Sequence, residues 1–228
     1  MSIAENLARI QNQIHDACAR AHRSPGEVAL MAVSKVHPVE VILEAHAAGQ
    51  HLFGENRVQE WQQKFPTASP LEGLRMHLIG PLQSNKTTKA AELFDGVDTV
   101  DSLKIAQRLD AAAKALGKVL PIHIEIKLSH EESKHGIQPE DLPALLAYLP
   151  SLQNLTPAGL MTVPPWSEDP EAARPYFQRL RQLRDQHLPG AGLSMGMSGD
   201  FAVAIAEGST CIRVGTALFG KRLYPAPA

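Results

Sequence analysis

A lysine that closes an aliphatic run is the residue best placed to do chemistry in this sequence. Lys35 ends VALMAVSK (28–35), where a two-residue period puts it on one face with Val33, Met31 and Ala29. An amine at the end of a buried strand is partly withdrawn from water, which disfavours its charged form and leaves it able to attack a carbonyl. The plainer alternative is a lysine whose stem lies on apolar surface while its ammonium reaches solvent. A second signal is Ser194-Met195-Gly196-Met197-Ser198-Gly199-Asp200. Its glycines let backbone N–H groups approach an anion ahead of a helix starting near Phe201, and the Ser198 hydroxyl adds a donor. Equally, Ser198 or Asp200 would serve as a helix cap. The segment fits neither GxGxxG nor GxxxxGK[ST], so no nucleotide motif stands behind it.

The third signal is IRVGTALFG (212–220), in which Arg213 and Gly215 share a face and Thr216 follows with a hydroxyl. An arginine beside a pyridine nitrogen would oppose its protonation; an arginine paired with a carboxylate is the alternative. Asn56 and Asn85 follow apolar runs, where each could orient a ligand oxygen or simply form a turn. His77, inside RMHLIG, reads as a core histidine satisfied by a neighbour. The ten histidines make neither HxH nor HExxH, so no metal site is expected. Glu131-Glu132 beside Lys134 reads as a solvated charge cluster, with His130 and His135 in the same charged loop. Without GxSxG or a local cysteine–histidine pairing, hydrolysis through a covalent serine or cysteine lacks support.

The elements that must position these groups follow from periodicity. An amphipathic helix within residues 1–23, with Ile3, Leu7, Ile10, Ile14 and Cys18 near one face, ends at Ser24-Pro25-Gly26. Eight apolar runs then alternate with helical patterns: VALMAVSK, HLFGEN, RMHLIGPLQ, GVDTVDS, PIHIEIKL, LTPAGLMTV, AGLSMGMS and STCIRVGTALFG. Eight such units without a domain-sized linker favour one closed (β/α)₈ barrel over residues 1–228, with a short tail at 223–228. A doubly wound sheet is the competing architecture, since its βα units look alike before strand order is known. In a barrel the site assembles at the C-terminal strand ends, where the residues above fall. The first helix is expected to cover barrel surface left bare after the last strand.

Composition narrows the classes further. The net charge of −2, from 22 basic and 24 acidic residues scattered along the chain, provides no phosphate-tracking field, so a nucleic-acid partner is not expected. Cys18 and Cys211 fit neither a disulfide framework nor a CxxC site, which points to a reducing compartment. Glu5, Arg9 and Asp16 interrupt the N-terminal helix, so neither a signal peptide nor a membrane span is expected there and the cytoplasm is the expected location.

Taken in order, AVSKVHP (32–38), FGENRVQE (53–60), HLIGPLQSNK (77–86), EESKHGI (131–137), GLMTVPP (159–165) and LSMGMSGDFAVAIAEGSTCIRVGTALFGKR (193–222) resemble the pyridoxal-phosphate homeostasis protein family. The resemblance implies a modified TIM (β/α)₈ barrel of the alanine racemase N-terminal domain type, holding pyridoxal 5′-phosphate. By that pattern Lys35 is the Schiff-base lysine, Ser198, Gly215 and Thr216 contact the phosphate, and Arg213 stands beside the pyridine ring. Asn56 and His77 are implied as further cofactor-pocket residues. Lys127 departs from the asparagine carried by many relatives.

The resemblance implies intracellular control of pyridoxal phosphate, affecting amino-acid and keto-acid balance, rather than established catalysis. Alanine racemase continues into a β-domain that brings a tyrosine to the opposite face of the ring, whereas this sequence stops at Ala228. The leading expectation is therefore a non-catalytic cofactor reservoir or carrier, with small amino acids as further ligands and a monomer, or at most a weak dimer, as its form. The alternatives are a pyridoxal-phosphate-dependent amino-acid racemase and a Lys35 Schiff-base aldolase acting on a phosphorylated sugar.

Overall fold

The aliphatic runs become strands, and the strands close on themselves. The computed structural model describes residues 2–65, 71–129, 131 and 134–220. Its strands are β1 (Ala29–Val33), β2 (Leu52–Glu55), β3 (Arg75–Leu78), β4 (Gly96–Val100), β5 (Leu120–Glu125), β6 (Leu155–Met161), β7 (Gly192–Met197) and β8 (Cys211–Val214). They form one closed parallel barrel in sequence order. The closing pair aligns Leu30 with Ile212 and Met31 with Arg213, which removes the doubly wound alternative because an open sheet has no β1–β8 ladder.

Alternation along each strand sorts two environments. In β5, Ile122 and Ile124 are fully buried in the aliphatic layer beneath the helices, while His123 and Glu125, which alternate with them, face the barrel interior. The outer layer is formed by α1 (Ile3–Arg20), α2 (Val39–Ala47), α3 (Val58–Lys64), α4 (Thr87–Leu93), α5 (Leu103–Ala115), α6 (Leu142–Tyr148), α7 (Arg174–His187), α8 (Phe201–Ala206) and α9 (Thr216–Phe219).

The first helix begins at a reciprocal cap. Ser2 Oγ accepts from the Glu5 N–H at 3.2 Å, and the Ser2 N–H donates to Glu5 Oε2 at 2.7 Å. The helix stops short of residue 23 because His22 turns into the left-handed region at φ 55°. Its buried face carries Leu7, Ile10, Ile14 and Cys18, and it covers the closing strands through α8 and α9. Asn6 Nδ2 and Arg9 Nη2 donate to the carbonyls of Leu218 and Ala217. The expected tail at 223–228 lies outside the described residues, as do His130 and Glu132 of the charged loop. Cys18 and Cys211 are both free thiols, and no described helix is long and apolar enough to cross a membrane.

Candidate functional site

The C-terminal ends of the strands surround a cavity of about 590 Å³. Lys35 reaches it from the turn after β1, two residues beyond Val33, which lines the same cavity. Asn56 reaches it from the end of β2, where the chain after β3 must pass very close. A Cβ at Gly80 would lie 2.1 Å from the Asn56 carbonyl oxygen, so only glycine lets these two strand ends meet at the cavity wall. Ser198 and Gly199 come from the turn after β7, and Gly215 and Thr216 from the turn after β8.

Arg213 lines the same cavity from β8 and is almost wholly buried. Its Nη1 donates to Ser194 Oγ at 2.7 Å and its Nη2 to the Thr162 carbonyl at 2.9 Å, so two neighbouring segments of the barrel fix the guanidinium plane. Burial lowers the guanidinium's proton affinity, and Cys211, Asp98, Glu125 and Asp200 oppose that effect. Asp200 stands at the N-cap position of α8, but its side chain makes no capping bond there. Its Oδ1 instead accepts from the Met197 N–H at 2.6 Å and folds the loop back on itself.

Of the seven residues expected to contact a cofactor, six line this one cavity: Lys35, Asn56, Ser198, Arg213, Gly215 and Thr216. His77 is not in the lining. Its strand position does face the barrel interior, but at a deeper level, where Nδ1 lies 2.9 Å from Asp98 Oδ1. A Cβ at Gly96 would sit 2.6 Å from the His77 ring, so the neighbouring strand gives up its side chain to make room for it. His123 Nδ1 approaches the same Asp98 oxygen at 3.0 Å. Asn85, in the turn Ser84–Lys86, and Lys127 also lie outside the lining.

Sequence reasoning missed several polar members of the cavity, among them Glu125, Lys134 and His135. Glu125 sits at the inward end of β5, and burial pushes its carboxyl up to about 7, with Arg213 and Lys134 opposing the rise and Asp101 adding to it. The signal was present in PIHIEIKL, where His123 and Glu125 alternate with isoleucines. Lys134, read as part of a solvated cluster, keeps Glu131 as a distant partner at 3.7 Å but donates to the Pro164 carbonyl at 3.4 Å across the cavity mouth. Together these groups offer an amine nucleophile, a fixed cation, a carboxyl that titrates near neutrality, and hydroxyl and backbone donors suited to an anion. Among the described residues, no group of three or more His, Cys, Asp or Glu is arranged to hold a metal ion.

The family model for the alanine racemase N-terminal domain matches residues 5–223. A pyridoxal phosphate homeostasis protein of Pseudomonas aeruginosa is 47% identical over 228 residues, covering 100% of this chain and 99% of its own length. One of the same name from Escherichia coli is 45% identical over 228 residues, covering 97% of each chain. Among solved structures, PipY of Synechococcus elongatus with PLP bound superposes with a TM-score of 0.84 at 43% identity, covering 96% of this chain and 100% of that one.

Proposed function

The chain belongs to the alanine racemase N-terminal domain family and, within it, to the pyridoxal phosphate homeostasis proteins; on that premise we propose that its cavity holds pyridoxal 5′-phosphate and that the protein acts as an intracellular reservoir and carrier of this cofactor. The observation that carries the reading is the convergence of Lys35, Arg213, Ser198 and Thr216 on a single cavity of about 590 Å³. That volume lies within the roughly 300–1,000 Å³ usual for small-ligand sites. The donor set matches the ligand's parts: an amine for its aldehyde, hydroxyl and backbone donors for its phosphate, and a cation for the ring edge. When bound, the cofactor supplies an aldehyde that condenses with amines and a ring that withdraws electrons.

The chain's residues take these roles in the proposal. Lys35 makes the covalent link, Ser198, Gly215 and Thr216 hold the phosphate, and Asn56 orients the ring. Arg213, held by Ser194 and Thr162, presents a fixed positive charge that opposes protonation of the ring nitrogen and so weakens electron withdrawal. That weakening, together with the names of the relatives, supports a carrier over an enzyme. Small amino acids are secondary ligands in this reading, and a cytoplasmic monomer is the working form.

A racemase is the second reading, and the observation in its favour is Glu125, a group able to hold or release a proton near neutral pH in the same cavity as Lys35. Chiral analysis of L- and D-alanine after incubation with cofactor-loaded protein separates the two. The carrier reading predicts turnover far below about 1 s⁻¹, the low end of ordinary enzymes. Turnover at or above that rate, abolished in K35A, would establish the racemase instead.

A further inference from the structure

Val36, the residue immediately after Lys35, holds φ at 60°. A β-branched side chain enters this left-handed region only under constraint. The constraint comes from beneath the turn. The Val36 N–H donates to Glu60 Oε1 at 2.5 Å, Lys64 Nζ donates to the Ser34 carbonyl at 3.0 Å, and Ser34 Oγ donates to Glu55 Oε1 at 2.8 Å. Lys64 ties the group together, its Nζ 2.7 Å from Glu55 Oε1 and 2.8 Å from Glu60 Oε1. Glu60 and Lys64 stand four residues apart on α3, and Glu55 ends β2. Glu60 and Lys64 therefore grip the backbone on both sides of Lys35, Glu55 holds the Ser34 hydroxyl, and none of the three lines the cavity.

Packing alone does not account for this arrangement. Beside the apolar packing around it stands a fully buried carboxylate, Glu55, whose Oε2 is left without a hydrogen-bond partner among the described residues. Such a group is costly unless its charge does something specific. Glu55 accepts from Ser34 Oγ and Lys64 Nζ, and Lys64 and Glu60 carry the hold on to the Ser34 carbonyl and the Val36 N–H on either side of the lysine. Resting on the reading that Lys35 carries the cofactor, we propose that Glu60, with Lys64 and Glu55, is a positioning device that holds the Ser34–Val36 turn in its strained form and thereby aims Lys35 into the cavity.

The test starts from cofactor-free protein and follows the visible absorption that develops when pyridoxal phosphate is added. In E60A the band should develop about tenfold more slowly or worse, the scale set by losing one charge-assisted hydrogen bond. E60Q should stay close to the unsubstituted protein, because the amide oxygen still accepts from Val36. The double variant V36G/E60A should regain most of the rate, since glycine adopts φ 60° without strain. A purely structural Glu60 would not be rescued at Val36. An E60A rate equal to that of the unsubstituted protein, or a double variant no faster than E60A, overturns the proposal. Should E60A fail to fold, E60D keeps the charge beside Lys64 but withdraws the acceptor by one carbon. It should be slow and be rescued by V36G, and an unchanged rate overturns the proposal.

Borohydride reduction and peptide mapping of the unsubstituted protein separate the two levels. Attachment at a residue other than Lys35 removes the premise and the proposal with it. Attachment at Lys35 with an unaffected E60A rate removes the proposal alone.

Discussion

His77 Nδ1 and Asp98 Oδ1 lie 2.9 Å apart in the barrel interior, below the cavity that gathers the other six expected cofactor residues. A carboxylate only accepts, so the His77 ring carries its proton on Nδ1, as does His123 at 3.0 Å on the same oxygen. Burial works against the Asp98 charge, but His123 and His77 outweigh it and hold the carboxyl well below the usual carboxylate range.

This arrangement separates stability from cofactor affinity. D98A leaves two buried imidazoles unpartnered and should cost about 3–5 kcal/mol in urea unfolding. H77Q removes one charge-assisted bond and should cost roughly 1–3 kcal/mol while changing the dissociation constant for pyridoxal phosphate by less than about tenfold. Unchanged stability with a sharply weakened cofactor complex would restore His77 to the pocket wall.

Glu125 gives the cofactor-free protein a pH dependence of known sign. Its carboxyl titrates near 7 in the folded protein against an ordinary value of 4.5, so between those limits the folded state keeps a proton that the unfolded state gives up. Stability from this group is therefore lost as pH rises through that window, by roughly 3 kcal/mol at full extent. E125Q cannot ionise and should unfold at a higher temperature than the unsubstituted protein at pH 8, with the gap closing toward pH 4. Parallel curves for the two proteins would show that Glu125 titrates normally.

Ser198 lines the cavity from the turn after β7. S198A should weaken pyridoxal phosphate by roughly 1.5–3 kcal/mol, the range for a hydrogen bond to a charged group, and leave pyridoxal without the phosphate almost unaffected. Equal losses for both ligands in titrations would place the hydroxyl away from the phosphate.

The barrel was legible because β-branched and aliphatic runs alternate with helical spacing, and each of the eight runs contains a strand. Lys35, Arg213 and Gly215 could be singled out because each extends the inward face of such a run. Glu125, Asp98 and His123 were harder. Each is a polar residue within a largely apolar strand, and the contact of Asp98 with His123 and the place of Glu125 in the cavity wall exist only once the barrel closes and its register fixes their depth. The same limit explains His77, whose inward face was readable but not its level beneath the strand ends. Lys134 was read as solvated because its neighbours in sequence are charged, and only the β5–β6 register brings it to the Pro164 carbonyl. The turn strain at Val36 had no sequence signal, since its cause lies on α3 and β2.

Lys35 is proposed to carry pyridoxal phosphate covalently. Borohydride reduction of the cofactor-loaded protein, followed by proteolysis and mass analysis, tests it in one step. A pyridoxyl-phosphate adduct on the peptide containing Lys35, with K35A folded but lacking both adduct and visible band, is the predicted result. An adduct carried mainly by Lys134 or Lys127, or an undiminished band in K35A, would contradict it.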